Sequence, residues 1–195
     1  MKGYFIMLDK FIPLCQHPEL PTGCEITALA MVLYNYGFDA DKCELAEKYL
    51  DKGKIGETDF NCAFVGEPST SYSYGCYAPV IVNAANRFLE SKVSELRAWN
   101  ISGKELNELF EFTAMDIPVM IWCTIGMKKG YYSTEWVING KKLRWYACEH
   151  CTVLLGKNGD ESRIADPYTG RIEKYRTSLL ETRYDELFRQ SVIIC

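Results

Sequence analysis

Histidine is nearly absent from this 195-residue chain: there are two, His17 and His150. Any chemistry that needs an imidazole must use one of them. Positive charge is outnumbered as well, since 22 Lys and Arg against 26 Asp and Glu leave a formal net charge of −4. No run of Lys and Arg is interleaved with aromatics, so the basic face that a nucleic-acid binder needs is missing. Long apolar runs are lacking too. ITALAMVLY and PVMIWCTIG are too short to cross a bilayer, and no membrane-spanning helix is expected. Internal repeats and low-complexity segments are absent. So is a second C-x-x-C or H-x-x-H that would complete the ligands of a structural zinc site.

What the chain has in plenty is cysteine. Nine cysteines suit either four disulfides with one thiol left over or nine thiols in a reducing compartment, and parity does not separate these. The length fits one domain, 1–195, able to bury a sizeable core, and 25% charged residues is ordinary for a globular protein. The N-terminal MKGYFIMLDKFIPLC is apolar, is broken by Asp9 and Lys10, and lacks a small-residue cleavage site. It reads as a strand rather than a signal peptide, which points to the cytoplasm for the chain as given and to export if the N-terminus has been trimmed.

Helix signals dominate the first half. Thr22 with Glu25 has capping-box spacing, Ile26, Leu29, Ala30, Leu33 and Tyr36 share one face, and Gly37 ends the helix. Asp41 with Glu44 opens a second helix to about Leu50. Residues 53–76 have no clear periodicity, and a loop of that length in a compact domain is usually functional or disordered. Tyr77 to Leu89 reads as a helix with Pro79 in its first turn. VSELRAW then reads as a strand, and Ser102 with Glu105 caps a helix through about Ala114.

Strand signals dominate the second half. PVMIWCTI is a buried-type strand, Asn139-Gly140 marks a hairpin between WVI and KLRWYACEHCTVLL, and Lys157 to Asp160 marks another before SRIAD. Asp166 to Gly170 is a turn, RIEKY a strand, 178–189 a helix, and SVIIC ends the chain. Helices first and an antiparallel sheet later make an α+β protein.

Cys24 falls in the first turn of the helix opened by Thr22. There, free backbone N–H groups and the helix dipole favour an anion and lower a thiol pKa. Its own N–H, with the side-chain amide of Gln16 on the preceding loop, can receive an oxyanion. Position alone leaves a nucleophile and a buried structural cysteine equally open. A nucleophile needs a base. His150 lies in an apolar strand, and Asp166 stands sixteen residues on, across a tight hairpin. Adjacent strands would put ring and carboxylate side by side, so that the acid orients the base. Cys148-Glu-His-Cys151 also has the spacing of half a zinc site or a redox pair, although a regular strand would point its two thiols to opposite faces. Cys62 and Cys76, at the ends of the polar loop, are candidates for disulfide pairing.

Taken together, LCQHPELPTGCEITALAMVLYNYG, GCYAPVIVNAANRFL, IPVMIWCTIGM, RWYACEHCTVLLG and IADPYTGRIEKY cover nearly the whole chain. In that order they resemble the papain-like peptidases of the double-glycine, bacteriocin-leader-processing kind, peptidase family thirty-nine, and their stand-alone relatives. The resemblance implies a papain-like fold, with a helical lobe over about 16–115, a sheet lobe over about 116–195 and a cleft between. It implies Cys24 as nucleophile, His150 as general base and acid, Asp166 as orienting residue and Gln16 as oxyanion donor. A peptide or protein substrate follows, with no cofactor and no metal; oligomeric state stays open. Cys148 and Cys151 depart from the small or apolar residues usual beside that histidine. Tyr72, Tyr74, Tyr131, Tyr132 and Trp136 are candidate substrate subsites or aromatic packing under long loops. Two rivals use the same residues: a non-catalytic peptide-binding domain, and an acyltransferase that passes the acyl group to an amine.

Overall fold

Residues 8–195 are described by the computed structural model. Its first half contains α1 (Cys24–Asn35), α2 (Lys42–Lys48), β1 (Lys52–Gly53), β2 (Phe64–Val65), α3 (Ala78–Ser91), β3 (Ala98–Asn100) and α4 (Leu106–Ala114). The second half contains β4 (Val119–Thr124), β5 (Tyr131–Ile138), β6 (Lys141–Ala147), β7 (Glu149–Asn158), β8 (Glu161–Asp166), β9 (Arg171–Arg176), α5 (Thr177–Glu186) and β10 (Ser191–Ile194). Helix and antiparallel sheet segregate along the chain as the pattern predicts. The exceptions are the short β1–β2 pair, the edge strand β3, which pairs with β10 although it comes before α4, and α5, which lies between β9 and β10.

The six-stranded sheet runs β3-β10-β4-β7-β8-β9, antiparallel throughout. All six residues of β4 are buried, because both faces of the sheet are covered. Met120 and Trp122 of β4, with Cys151, Val153 and Leu155 of β7, pack in the cluster that contains α1 and α3. Val119, Ile121 and Cys123, with Leu154, pack on the opposite side with α4 and α5. The ten residues from Cys24 to Leu33 are all buried, so α1 is enclosed rather than laid on a surface by one face.

Several sequence expectations change. Thr22 does not cap α1: the N-cap is Gly23, and the Thr22 hydroxyl donates to Thr70 O at 2.9 Å, tying the helix entrance to the polar loop. A Cβ at Gly23 would lie 2.8 Å from Leu20 Cβ, which explains the glycine. Ser102 does not cap α4. The helix starts later, at the Glu105–Glu108 box, where Glu105 N–H donates to Glu108 Oε2 at 2.7 Å, and Ser102 Oγ accepts Ser191 N–H instead. Asp41 does cap α2, accepting from Cys43 N–H and Glu44 N–H. KLRWYACEHCTVLL is two strands rather than one, divided at Cys148, whose φ of 67° breaks the extended chain. Within the N-terminal stretch, Leu8–Lys10 is a 3-10 turn and no strand follows before Cys15, while residues 1–7 lie outside the described part.

The loop 53–76 carries the short parallel pair β1–β2 and is otherwise turns. It is pinned by the β5–β6 hairpin through tilted and edge-on ring contacts. Phe60 lies 4.9 Å from Trp136 and 4.7 Å from Trp145, and Tyr74 lies 5.5 Å from both. Tyr74 and Trp136 are thus packing residues. Tyr72 is 88% exposed and lines a groove of about 490 Å³ between residues 52–55 and 66–73. Tyr131 and Tyr132 are exposed, Tyr132 lying under the Arg144 guanidinium at 3.8 Å.

Candidate active site

The local pairing of β7 with its neighbours sets the geometry of His150. It stands opposite Cys123 of β4, and its Nε2 meets Asp166 Oδ1, at the end of β8, at 2.7 Å. His150 is 1% and Asp166 3% exposed. Burial by itself would raise the Asp166 carboxyl. Hydrogen bonds from His150 and from the Tyr168 and Thr169 N–H groups outweigh it, and the net direction is below the usual carboxylate range. Tyr168 N–H donates to the same Oδ1 at 2.8 Å, and the Tyr168 ring stands edge-on over His150 with centroids 6.3 Å apart. Gly170, at φ 66°, closes this turn by donating its N–H to Asp166 O.

Cys24 reaches the same edge of β7 from the other side. Trp122 N–H bonds to Gln190 O, so Cys151, opposite Trp122, turns its own N–H away from β4 and toward β8. There β8 has already ended, and Cys24 Sγ takes the place of a ladder acceptor, 3.4 Å from Cys151 N. The sulfur therefore lies against the peptide that joins Cys151 to His150. Its hydrogen goes elsewhere: the thiol donates to Glu25 Oε2 at 3.2 Å. Burial first, then the Glu25 and Glu149 carboxylates, hold the Cys24 thiol well above its ordinary range. The helix dipole was expected to favour a thiolate; desolvation and two acids overcome it.

Gln16 is brought to the same corner, its N–H donating to Pro167 O at 2.8 Å, next to Asp166. Its side-chain amide points to Pro21 O at 2.8 Å, and its Oε1 is buried without a partner. So three of the four candidate groups, and the backbone of the fourth, converge on one corner. The thiol is turned toward Glu25 and the Gln16 amide toward Pro21.

The cysteines beside His150 do not act as a pair. Cys151 is buried on the α1 face and Cys148 is half-buried in the break between β6 and β7. All nine cysteines are free thiols, among them the exposed Cys62 and the buried Cys76. Among the described residues one group of three ligand-bearing side chains is close enough to consider for a metal: Cys24, Glu25 and Glu149, with donor atoms within 4.8 Å. Most of that capacity is engaged. Glu25 Oε1 accepts Cys76 N–H at 2.7 Å, Oε2 accepts the thiol, and the sulfur accepts Cys151 N–H, so this set does not fit a metal centre. Sequence reading missed Glu149 altogether and assigned Glu25 to a cap. The signal available was that each adjoins a candidate catalytic residue in an otherwise apolar stretch.

Comparison with known proteins points one way. The sequence model of the Peptidase C39-like family matches residues 8–192. The chain is 26% identical over 181 residues to the uncharacterized protein YvpB of Bacillus subtilis (strain 168), covering 91% of this chain and 70% of YvpB. A crystal structure of a Bacillus anthracis protein described as a C39-like peptidase superposes with a TM-score of 0.86 at 26% identity, over 99% of this chain and 98% of that one. The peptidase domain of Streptococcus ComA, a bifunctional ABC transporter of a quorum-sensing pathway, shares the fold at a TM-score of 0.57 and 16% identity, over 95% and 98% of the two chains.

Proposed function

The chain belongs to the Peptidase C39-like family, and from that we propose that it is a cysteine peptidase that cleaves peptide bonds through Cys24, His150 and Asp166. The observation that carries the reading is the buried His150–Asp166 pair. Nε2 is committed to the carboxylate at 2.7 Å, which leaves Nδ1 as the nitrogen that can accept the thiol proton. Cys24 Sγ already lies on the peptide following His150. The reaction requires the Cys24 side chain to turn away from Glu25 so that its sulfur meets the His150 ring.

In the reaction the thiol proton passes to His150 Nδ1 and the thiolate attacks the scissile carbonyl. The Cys24 N–H, unpaired within the first helical turn, and the second hydrogen of Gln16 Nε2 receive the oxyanion. His150 returns its proton to the leaving amine, and water, activated by the same ring, releases the acyl group. Asp166 stabilises the imidazolium formed in between.

The engagement of the thiol by Glu25 supports one rival, a peptide-binding domain that never forms the thiolate. A short peptide bearing a vinyl sulfone separates the two. The peptidase reading expects one covalent adduct, located by mass on Cys24 and lost in His150→Ala. Adducts spread over the exposed Cys15, Cys62 and Cys195 and indifferent to His150→Ala would refute it. Added amine nucleophiles that appear in the product would mark acyl transfer in place of hydrolysis.

A further inference from the structure

Two fully or almost fully buried acids have no place in that mechanism. Glu25 is 0% and Glu149 7% exposed. Glu25 follows the nucleophile in sequence and Glu149 precedes the base. Both carboxylates lie with Cys24 Sγ in a group whose members are within 4.8 Å of one another, and Glu149 Oε1 is buried without a hydrogen-bond partner. The pair sits under Gly75, where an added Cβ would come within 2.4 Å of Glu25 Oε1 and 3.0 Å of the Trp145 ring.

The titratable groups that face the pair are Cys24 on α1, Cys76 and Tyr77 at the entrance to α3, Cys123 on β4 and Cys151 on β7. All of them are acids that stay neutral near pH 7, and none supplies a positive charge. Two close carboxylates in such a place cannot both be ionised. Burial raises both acids, and Glu25 adds to the rise at Glu149.

We propose that Glu25 and Glu149 are positioning residues that hold one proton between them, tying the first turn of α1, which carries the nucleophile, to the start of β7, which carries the base. The shared proton gives Glu149 Oε1 the partner it lacks. Its loss sets two like charges against each other beside Cys24 and drives the helix end and the strand apart. This assignment rests on the peptidase reading for its effect on rate, but the proton itself is measurable without any activity.

The proton is read from unfolding by urea as a function of pH. An acid raised in the fold contributes stability that is fully present below its unfolded value, about 4.3, and is lost as pH rises through the folded value. Wild type is expected to lose about tenfold in the folding constant per pH unit over part of the range from 5 to 8, below the titration of ordinary thiols. Glu149→Gln, whose amide donates to Glu25 without needing the proton, is expected to flatten that slope. A slope in the variant equal to that of wild type overturns the proposal. On activity, Glu149→Ala should lower kcat at least tenfold with little change in KM. Glu149→Gln should recover most of that loss and carry activity to higher pH, whereas equal loss in both variants, with an unshifted profile, overturns the positioning role. If the slope is present but Cys24 never forms an adduct, the proton-sharing pair stands and the peptidase reading fails. Zinc that copurifies with wild type and is lost in Glu149→Gln would make the group a metal site and end the proposal.

Discussion

Removing the carboxylate of Asp166 tests the reasoning most directly. In wild type, Oδ1 accepts from His150 Nε2 at 2.7 Å and from Tyr168 N–H at 2.8 Å. Asp166→Ala leaves both donors without an acceptor, which costs roughly 1–3 kcal/mol each, or about 2–6 kcal/mol for the two; the third donor, Thr169 N–H, lies on an exposed turn where water can replace the carboxylate. For a chain of this size, at about 3 °C per kcal/mol, the melting temperature should fall by about 6–18 °C. Asp166→Asn keeps an oxygen where Oδ1 was. Its loss comes mainly from an amide facing Thr169 N–H, which bonds the carboxylate in wild type, and should be about 1 kcal/mol. The two variants separate further with pH. The Asp166 carboxyl is held low in the fold, so its contribution is present above the unfolded value of about 3.9 and is lost as pH falls through the folded one. Thermal scans from pH 3 to 7 should show an acid-side loss in wild type that is reduced in both variants. On a cleaved peptide, Asp166→Ala should lose roughly 10²–10⁴-fold in kcat. If the two variants melt within about 1 °C of each other at neutral pH, the pair does not hold the ring.

Other consequences follow from the same contacts. Because Cys24 is buried and its thiol is held protonated, iodoacetamide at neutral pH should modify Cys15, Cys62 and Cys195 well before Cys24, as peptide mapping will record; Cys24 reacting first would contradict the resting arrangement. Gly170→Ala places a Cβ 2.9 Å from Cys15 Cβ at φ 66° and should destabilise by about 1–3 kcal/mol in urea unfolding, with a parallel loss of peptide cleavage. Trp122→Phe removes the donor to Cys76 O at 2.9 Å, the residue whose N–H holds Glu25, and should cost about 1–3 kcal/mol by the same measurement. Asp41→Ala should cost about 1 kcal/mol, with no effect on activity.

What the sequence by itself determined was local. Asp41 caps α2, Asn139-Gly140 and Lys157 to Asp160 turn their hairpins, and Pro79 lies in the first turn of α3, because turn and cap chemistry act within a few residues. Asp166 could be placed beside His150 because a tight hairpin sets β8 next to β7, while the register shift at Leu154–Gly156 and the pairing of His150 with Cys123 of β4 complete the alignment. Tertiary structure decided the rest. Thr22 and Ser102 have cap spacing, yet the polar loop and β10 offered their hydroxyls other partners. The strand before Cys148 breaks because β6 pairs with β5 while β7 pairs with β4 and β8. The state of the Cys24 thiol depends on desolvation and on Glu149, which comes from the far side of the sequence, and burial is a property of the packed whole that no local motif carries.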